Sequence, residues 1–206
     1  IPLLFYELSI LRTFCKILLP LIPKKENIRI DFYYLNANVN KKREYHIYKM
    51  KILLLVVGKT TESYFSEAIK EYSGRLRHYI SFDMEVIPDL KNMKNLSFDQ
   101  QKEKEADQIF KFLQSGDYLV LLDERGKEYS SVQFAAYIER KTHVVPKRLV
   151  FIVGGPYGFS SRVYKAANEK ISLSKMTFSH QMIRMIFVEQ LYRAMTILNN
   201  EPYHHE

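Results

Sequence analysis

The chain has 206 residues, a formal net charge of +8 and a single cysteine, Cys15. One cysteine excludes an internal disulfide framework and a cysteine-based zinc site, and it favours a reducing, cytoplasmic location. Residues 1–49 carry nine Lys and Arg against four Asp and Glu, whereas residues 50–206 carry 22 against 19. The longer part is only mildly basic, so charge alone gives weak support for a nucleic-acid partner.

Residues 1–49 contain none of the seven glycines and show no clear period. Glu7, Arg12 and Lys16 interrupt their apolar opening, which makes it a poor membrane span, and the order typical of a secretory signal is absent. Three interpretations remain open: a stretch that is disordered or not natively translated, an amphipathic or membrane-proximal anchor, and an extra subdomain. We favour the first and expect residues 50–206 to form the functional domain, with no membrane partner.

From Met50 onward, strands and helices alternate. Buried or alternating apolar runs predict strands at 52–57, 82–87, 118–122 and 148–153, and helical spacing predicts helices at 61–79, 99–114, 131–141, 160–169 and 180–199. A short, partly apolar segment, 171–178, precedes the last helix. Strands separated by helices favour an α/β fold with a mainly parallel sheet flanked by helices.

Two strand ends are candidate sites. Three of the seven glycines fall within 154–158, directly after the strand at 148–153. Such density at the carboxyl end of a strand indicates either a tight strand-to-helix turn or main chain that approaches a ligand closely. The P-loop and G-x-G-x-x-G spacings are absent, which disfavours a nucleotide phosphate. The second candidate follows Leu122, where Asp123 and Glu124 are interpreted as solvated loop acids rather than a metal pair.

The C-terminal quarter carries three further signals. Residues 174–177 alternate small polar and longer side chains just before a helix, which is a poor pattern for a core. Arg184 lies among apolar residues, where its charge is costly unless it meets an anion. The tail "PYHHE" (202–206) predicts a chain end pinned to the fold, and its paired histidines lack a third ligand at suitable spacing, so no metal is predicted.

Four stretches in order, "IVGGPYG", "LSKMTFSHQMIR", "VEQLYRA" and "PYHHE", together with the opening "MKILLLVVGK", make residues 50–206 resemble the ribosomal RNA large subunit methyltransferase H family of the SPOUT superfamily. The resemblance implies a C-terminal deep trefoil knot, a homodimer and S-adenosyl-L-methionine as methyl donor. It also implies methylation of N3 of a pseudouridine in 23S ribosomal RNA, which we expect on assembled ribosomes.

The resemblance also assigns residues. It places the cofactor contacts on Leu122, Gly154, Leu173, Ser174, Lys175, Met176, Thr177 and Phe178, and glycine at 154 and 155 would let the main chain lie against the cofactor. Arg184, Tyr203 and His204 are the candidates to approach the target base, with one subunit completing the site of the other. The general base is left unassigned.

The expected RNA-facing cations flank this site: Lys147, Arg148, Arg162, Lys165, Lys175 and Arg184. His205 stands where related tails often carry Lys or Arg, which weakens a phosphate contact at that position. Two alternatives stay open. The first is a non-catalytic ribosome- or RNA-binding module on the same fold, which would not bind S-adenosylmethionine. The second is a SPOUT methyltransferase that acts on another nucleotide.

Overall fold

The structure is a computed structural model that describes residues 49–90 and 96–205. Within these ranges five strands alternate with five helices: β1 (Lys51–Val57), α1 (Ser63–Leu76), β2 (Ser81–Ile87), α2 (Phe98–Phe112), β3 (Tyr118–Glu128), α3 (Ser131–Val144), β4 (Arg148–Val153), α4 (Ser161–Ala166), β5 (Glu169–Ser172) and α5 (His180–Leu198). The predictions for residues 1–48 lie outside the described residues. No helix in the described ranges is long and apolar enough to cross a membrane.

The strands form one sheet in the order β2-β1-β4-β3-β5, and each neighbouring pair is parallel. The predicted α/β class with a mainly parallel sheet is therefore confirmed. The interior strands β1 and β4 are buried along almost their whole length, as expected for strands covered on both faces.

Alternate side chains of β1 belong to two cores. Ile52, Leu54 and Val56 pack in a cluster with apolar residues of α1, α3 and α5, among them Phe187. Leu53, Leu55 and Val57 pack in a second cluster with residues of α2 and α4, among them Ile109. The helices therefore cover both faces of the sheet, which leaves the carboxyl ends of the strands as the edge where a ligand can enter.

Among the boundaries that differ from the sequence prediction, two lie next to β5. The helix predicted at 160–169 ends at Ala166, because Asn168 joins the start of β3: its backbone N–H donates to the Leu119 carbonyl at 2.9 Å and its side chain accepts from the Leu119 N–H at 2.7 Å. These two bonds draw the following residues into the sheet as β5. The strand predicted to end at Leu122 continues to Glu128, and its register against β5 shifts between Leu122 and Lys127.

The long final helix α5 packs against α1 and α3, and the tail turns back onto it. The turn uses Asn200, whose φ of 53° is left-handed, and the Glu201 N–H donates to the Thr196 carbonyl at 2.9 Å. The Tyr203 hydroxyl then reaches Glu189 Oε1 at 3.0 Å and lies 3.3 Å from the Tyr72 hydroxyl. These contacts pin the tail to the fold at Glu201 and Tyr203, as predicted.

Candidate active site

A pocket of about 490 Å³ lies at the carboxyl ends of β4 and β5, beside the middle of β3 where its register against β5 shifts. Its volume is in the range of small-molecule sites. The lining residues come from three separated segments and from α2: Leu122, Asp123, Glu124 and Arg125; Val153, Gly154, Gly155, Pro156, Tyr157, Gly158, Phe159 and Tyr164; Ser172, Ser174, Met176, Thr177, Phe178, His180 and Ile183; and Lys102. The segment of β3 after Leu122, the loop after β4 and the linker before α5 therefore share one cavity.

Six of the eight residues expected to contact a cofactor line this pocket: Leu122, Gly154, Ser174, Met176, Thr177 and Phe178. The other two do not line it. Leu173 packs against the core on the side of α5. The Lys175 side chain is 88% exposed, with its Nζ 3.9 Å from Glu128 Oε2. The side chains of Leu173 and Lys175 thus lie outside the cavity, one directed inward and the other into solvent, and the expected cofactor contacts stay a prediction.

The glycine loop after β4 is a tight turn. Gly155 and Gly158 form an isolated bridge, in which the Gly158 N–H donates to the Gly155 carbonyl at 3.1 Å. A Cβ placed on Gly154 would lie 3.1 Å from the buried ring of Phe159, and a Cβ on Gly155 would lie 2.5 Å from Glu105 Oε1. The interpretation as a tight turn is therefore confirmed, and the main chain of the loop forms part of the pocket wall, while its close approach to a ligand stays a prediction.

The linker from 173 to 178 is held by its own side chains. The Ser172 hydroxyl donates to the Ser174 carbonyl at 2.7 Å, and Ser174 Oγ accepts from the Met176 N–H at 2.9 Å. The Thr177 hydroxyl donates to Glu124 Oε2 at 3.2 Å. Serine and threonine bond to nearby backbone in this way where no helix or strand continues. Met176 lines the pocket yet remains 73% exposed, so its flexible side chain is free to pack over a ligand.

Two acids of β3 line the pocket, Asp123 and Glu124. They were expected to be solvated loop residues; they lie within the strand instead of a loop, and Glu124 is exposed. Asp123 accepts hydrogen bonds from the Tyr164 hydroxyl and from the Arg125 N–H. Burial, reinforced by Asp123, raises the pKa of Tyr164 to about 12, so this tyrosine is a neutral donor. The signal that could have found these acids is their position directly after the buried run that ends at Leu122.

Arg184, a candidate to approach the target base, lies away from the pocket, and its role at the base stays a prediction. Its side chain is 1% exposed and does not line the pocket. Instead of an anion, the guanidinium meets oxygens at the end of β1: it donates to the Val57 carbonyl at 2.6 Å, and to the Gly58 carbonyl and Thr60 Oγ1 at 2.9 Å each. Burial lowers the pKa of Arg184, and the negative charge of Asp89 partly offsets this. Arg184 thus fastens α5 to β1 and presents no charge to an RNA.

Most of the expected RNA-facing cations fall into two groups. Arg148 and Arg162 are already paired, the first with Asp117 and the second with Glu103 and Asp107. Lys147, Lys165 and Lys175 are exposed, whereas Arg184 is not. Lys147 and Arg148 stand at the start of β4, so they lie at the amino edge of the sheet, opposite the pocket, and do not flank it as expected. The free positive charge near the pocket is therefore smaller than the sequence indicated, and Arg125 on the pocket wall adds to it.

The tail residues do not reach the pocket of their own chain. Neither Tyr203 nor His204 lines it. Tyr203 stacks edge-on against Tyr192, and its ring faces the Arg193 guanidinium at 4.7 Å, on the stretch of α5 that follows the pocket residue Ile183. Among the described residues, no cluster of three or more His, Cys, Asp or Glu could hold a metal ion.

The chain is similar to proteins of one family. The family model described as "Predicted SPOUT methyltransferase" matches residues 50–204. Three curated relatives, each named "Ribosomal RNA large subunit methyltransferase H", match over 157 residues, which is 76% of this chain and 100% of each relative. The identity is 74% for the protein of Parabacteroides distasonis, 70% for Phocaeicola vulgatus and 66% for Bacteroides thetaiotaomicron. Matches of this extent confirm the resemblance, and the chain belongs to the SPOUT methyltransferase family.

Proposed function

We propose that residues 50–206 form an S-adenosylmethionine-dependent methyltransferase that methylates N3 of a pseudouridine in 23S ribosomal RNA, in the cytoplasm and on assembled ribosomes. The observation that carries the proposal is the pocket in which Leu122, Gly154 and Met176, from three distant parts of the chain, line one cavity. The names of the relatives supply the ribosomal RNA substrate class.

The lining residues fit S-adenosylmethionine in both shape and charge. Apolar side chains at Leu122, Val153 and Phe178 offer a slot for a purine ring. Asp123 and Glu124 offer acceptors for hydroxyl and ammonium groups, and Arg125 offers a positive charge for a carboxylate. A mixed set of charges of this kind suits a ligand that carries charges of both signs, whereas a purely apolar pocket would not.

When bound, S-adenosylmethionine supplies a methyl group activated by a sulfonium ion. The residues of this chain have to bind it, exclude water and hold the target nitrogen in line with that methyl group at ~3–3.5 Å. The fixed loop at Gly154 and the bonded linker at Ser174 suit such positioning, because neither rearranges freely. No metal ion is needed for this chemistry, since the methyl group is already electrophilic.

We further propose that the protein acts as a homodimer and that its C-terminal segment is threaded as a deep trefoil knot. The position of the tail supports the dimer: Tyr203 and His204 lie off the pocket of their own chain, so they reach a target base only in the site of a partner. The path of the chain supports the knot, because β5 pairs with β3 at one edge while α5 returns to pack against α1.

The RNA contact is expected to depend on a folded ribosomal context rather than on bulk charge. Arg148 and Arg162 are engaged with acids, which leaves Lys147, Lys165 and Lys175 as the exposed basic residues of the expected patch. A short free stem-loop should therefore be a poor substrate, and its efficient methylation would contradict this part of the proposal.

The decisive experiment joins cofactor binding to nucleoside analysis. Calorimetry should show S-adenosylmethionine binding by the wild type, weaker binding by Met176→Ala and unchanged binding by Val144→Ala, a matched control because Val144 is also an apolar side chain, 70% exposed, but lies outside the pocket. Mass spectrometry of 23S RNA should show one methylated pseudouridine that is lost from cells lacking the protein. Absence of binding would favour a non-catalytic RNA-binding module, and loss of a different methylated nucleotide would reassign the substrate.

A further inference from the structure

A buried carboxylate lies behind the glycine loop. Glu105 is 7% exposed and stands on the inner face of α2, beside the core residues Ala106 and Ile109. Glutamate is almost never buried to this extent unless it is paired. The cations that form ion pairs on α2 and α4 pair with other acids: Lys102 with Asp99, and Arg162 with Glu103 and Asp107. The buried carboxylate of Glu105 is therefore stabilised by something other than these two basic side chains.

Its partner is the main chain of the pocket. The Glu105 carboxylate lies against the backbone of Gly155. A Cβ at position 155 would lie 2.5 Å from Glu105 Oε1 and 2.6 Å from Oε2, distances that real Cβ atoms do not show. The carboxylate therefore occupies the space that any larger residue at 155 would need, and the nearby Gly155 amide stabilises its negative charge.

We propose that Glu105 is a positioning residue for the cofactor site: it fixes the Gly154–Gly155 peptide in the orientation that the ligand meets, without itself touching the ligand. Glu105 does not line the pocket, whereas both glycines do. The inference rests on the proposed function, because it assigns the ligand of this pocket as S-adenosylmethionine. Glu105 was not among the site residues expected from the sequence.

The charges around Glu105 make its contribution depend on pH. Burial raises the pKa of Glu105, the bond from the Gly155 amide partly offsets this, and the negative charge of Asp89 raises it further. On the packed elements, Lys102 of α2 and Arg162 of α4 bond to other acids, and Asp89 follows β2. A protonated carboxyl accepts a weaker hydrogen bond than a carboxylate does. As the pH falls, Glu105 becomes protonated at a higher pH than an exposed glutamate would, and its interaction with Gly155 weakens at that point.

The test measures S-adenosylmethionine affinity by calorimetry between pH 5 and 8. Glu105→Ala should weaken binding about tenfold or more at neutral pH. Glu105→Gln keeps a carbonyl acceptor for the Gly155 amide, so it should retain most of the affinity but lose the decline of affinity toward low pH. Glu103→Gln changes a partly exposed glutamate on the same helix that pairs with Arg162, and this variant should follow the wild type throughout.

A rescue variant separates positioning from general damage to the fold. Gly155→Ala should weaken binding because its Cβ meets the carboxylate, and adding Glu105→Ala should remove that overlap. The fold-loss of affinity in the double variant should therefore be smaller than the product of the fold-losses in the two single variants. Strictly multiplicative losses, or Glu105 variants that match the wild type at every pH, would overturn the inference. A wild type that does not bind S-adenosylmethionine would overturn the proposed function, and this inference with it.

Discussion

Arg184→Ala removes the side chain that joins α5 to the end of β1. The guanidinium donates to two buried carbonyls, those of Val57 and Gly58, and to the hydroxyl of Thr60. A buried acceptor that loses its partner costs about 1–3 kcal/mol, so the two carbonyls alone represent about 2–6 kcal/mol. Water that enters the vacated space offsets part of this, and we expect a loss of about 3 kcal/mol in the free energy of unfolding.

That loss is a large fraction of the total stability of about 5–15 kcal/mol that is typical of folded proteins. For a domain of this size it corresponds to a fall of about 6–12 °C in the unfolding temperature. Circular dichroism during thermal and urea unfolding measures both quantities. Arg184→Lys should recover only part of the loss, because one ammonium cannot replace the planar fork of donors.

The matched control is Arg162→Ala, which removes an exposed arginine paired with Glu103 and Asp107. Exposed pairs contribute little, so this variant should unfold as the wild type does. If Arg184→Ala also unfolds like the wild type but abolishes methyl transfer, Arg184 acts at the target base, and the structural role argued here is wrong.

Three further outcomes are expected. Gly126→Ala should separate β3 from β5 and lower the unfolding temperature in a thermal melt, because its Cβ would lie 2.4–2.7 Å from backbone atoms of Ile171; an unchanged melt would contradict this packing. Tyr203→Phe should leave S-adenosylmethionine affinity unchanged in calorimetry and reduce methyl transfer, and unchanged transfer would remove Tyr203 from the site. Because the pKa of Glu105 is raised in the folded state, the unfolded chain releases this proton at a lower pH than the folded chain does. The free energy of unfolding should therefore fall as pH rises from the ordinary glutamate pKa toward the raised one. Urea unfolding of the wild type should show this decline relative to Glu105→Gln, and parallel curves would refute it.

The sequence predicts the interior of the sheet well because burial on both faces leaves continuous apolar runs. β1 and β4 were placed to within a residue for this reason. The extension of β3 was missed because its last residues, 123–128, are mostly charged and carry no strand pattern. That extension exists because it pairs with β5 after a register shift, and such a partner is not visible in local sequence.

The same distinction applies to the site. The loop after β4 and the residues that follow the buried run 118–122 were identified from chain order alone, because a ligand of a parallel sheet binds where strands end. Glu105 was missed because it lies within "KEKEADQ", where one buried acid looks like its solvated neighbours. For Arg184 the sequence shows an arginine among apolar residues, but its acceptors lie more than 120 positions earlier in the chain.

Two positions near the carboxyl edge of the sheet require glycine for a reason that the sequence did not reveal. The dense glycines predicted a tight turn or close approach to a ligand. At Gly155 the space that a Cβ would need is occupied by the carboxylate of Glu105, and at Gly58 it is occupied by Asp89, 2.6 Å from the position of a Cβ. Asp89 in turn acts electrostatically on both Glu105 and Arg184. A substitution at either glycine would therefore displace a charged group behind the pocket before it touched any ligand, and its effect on binding would be transmitted through the backbone.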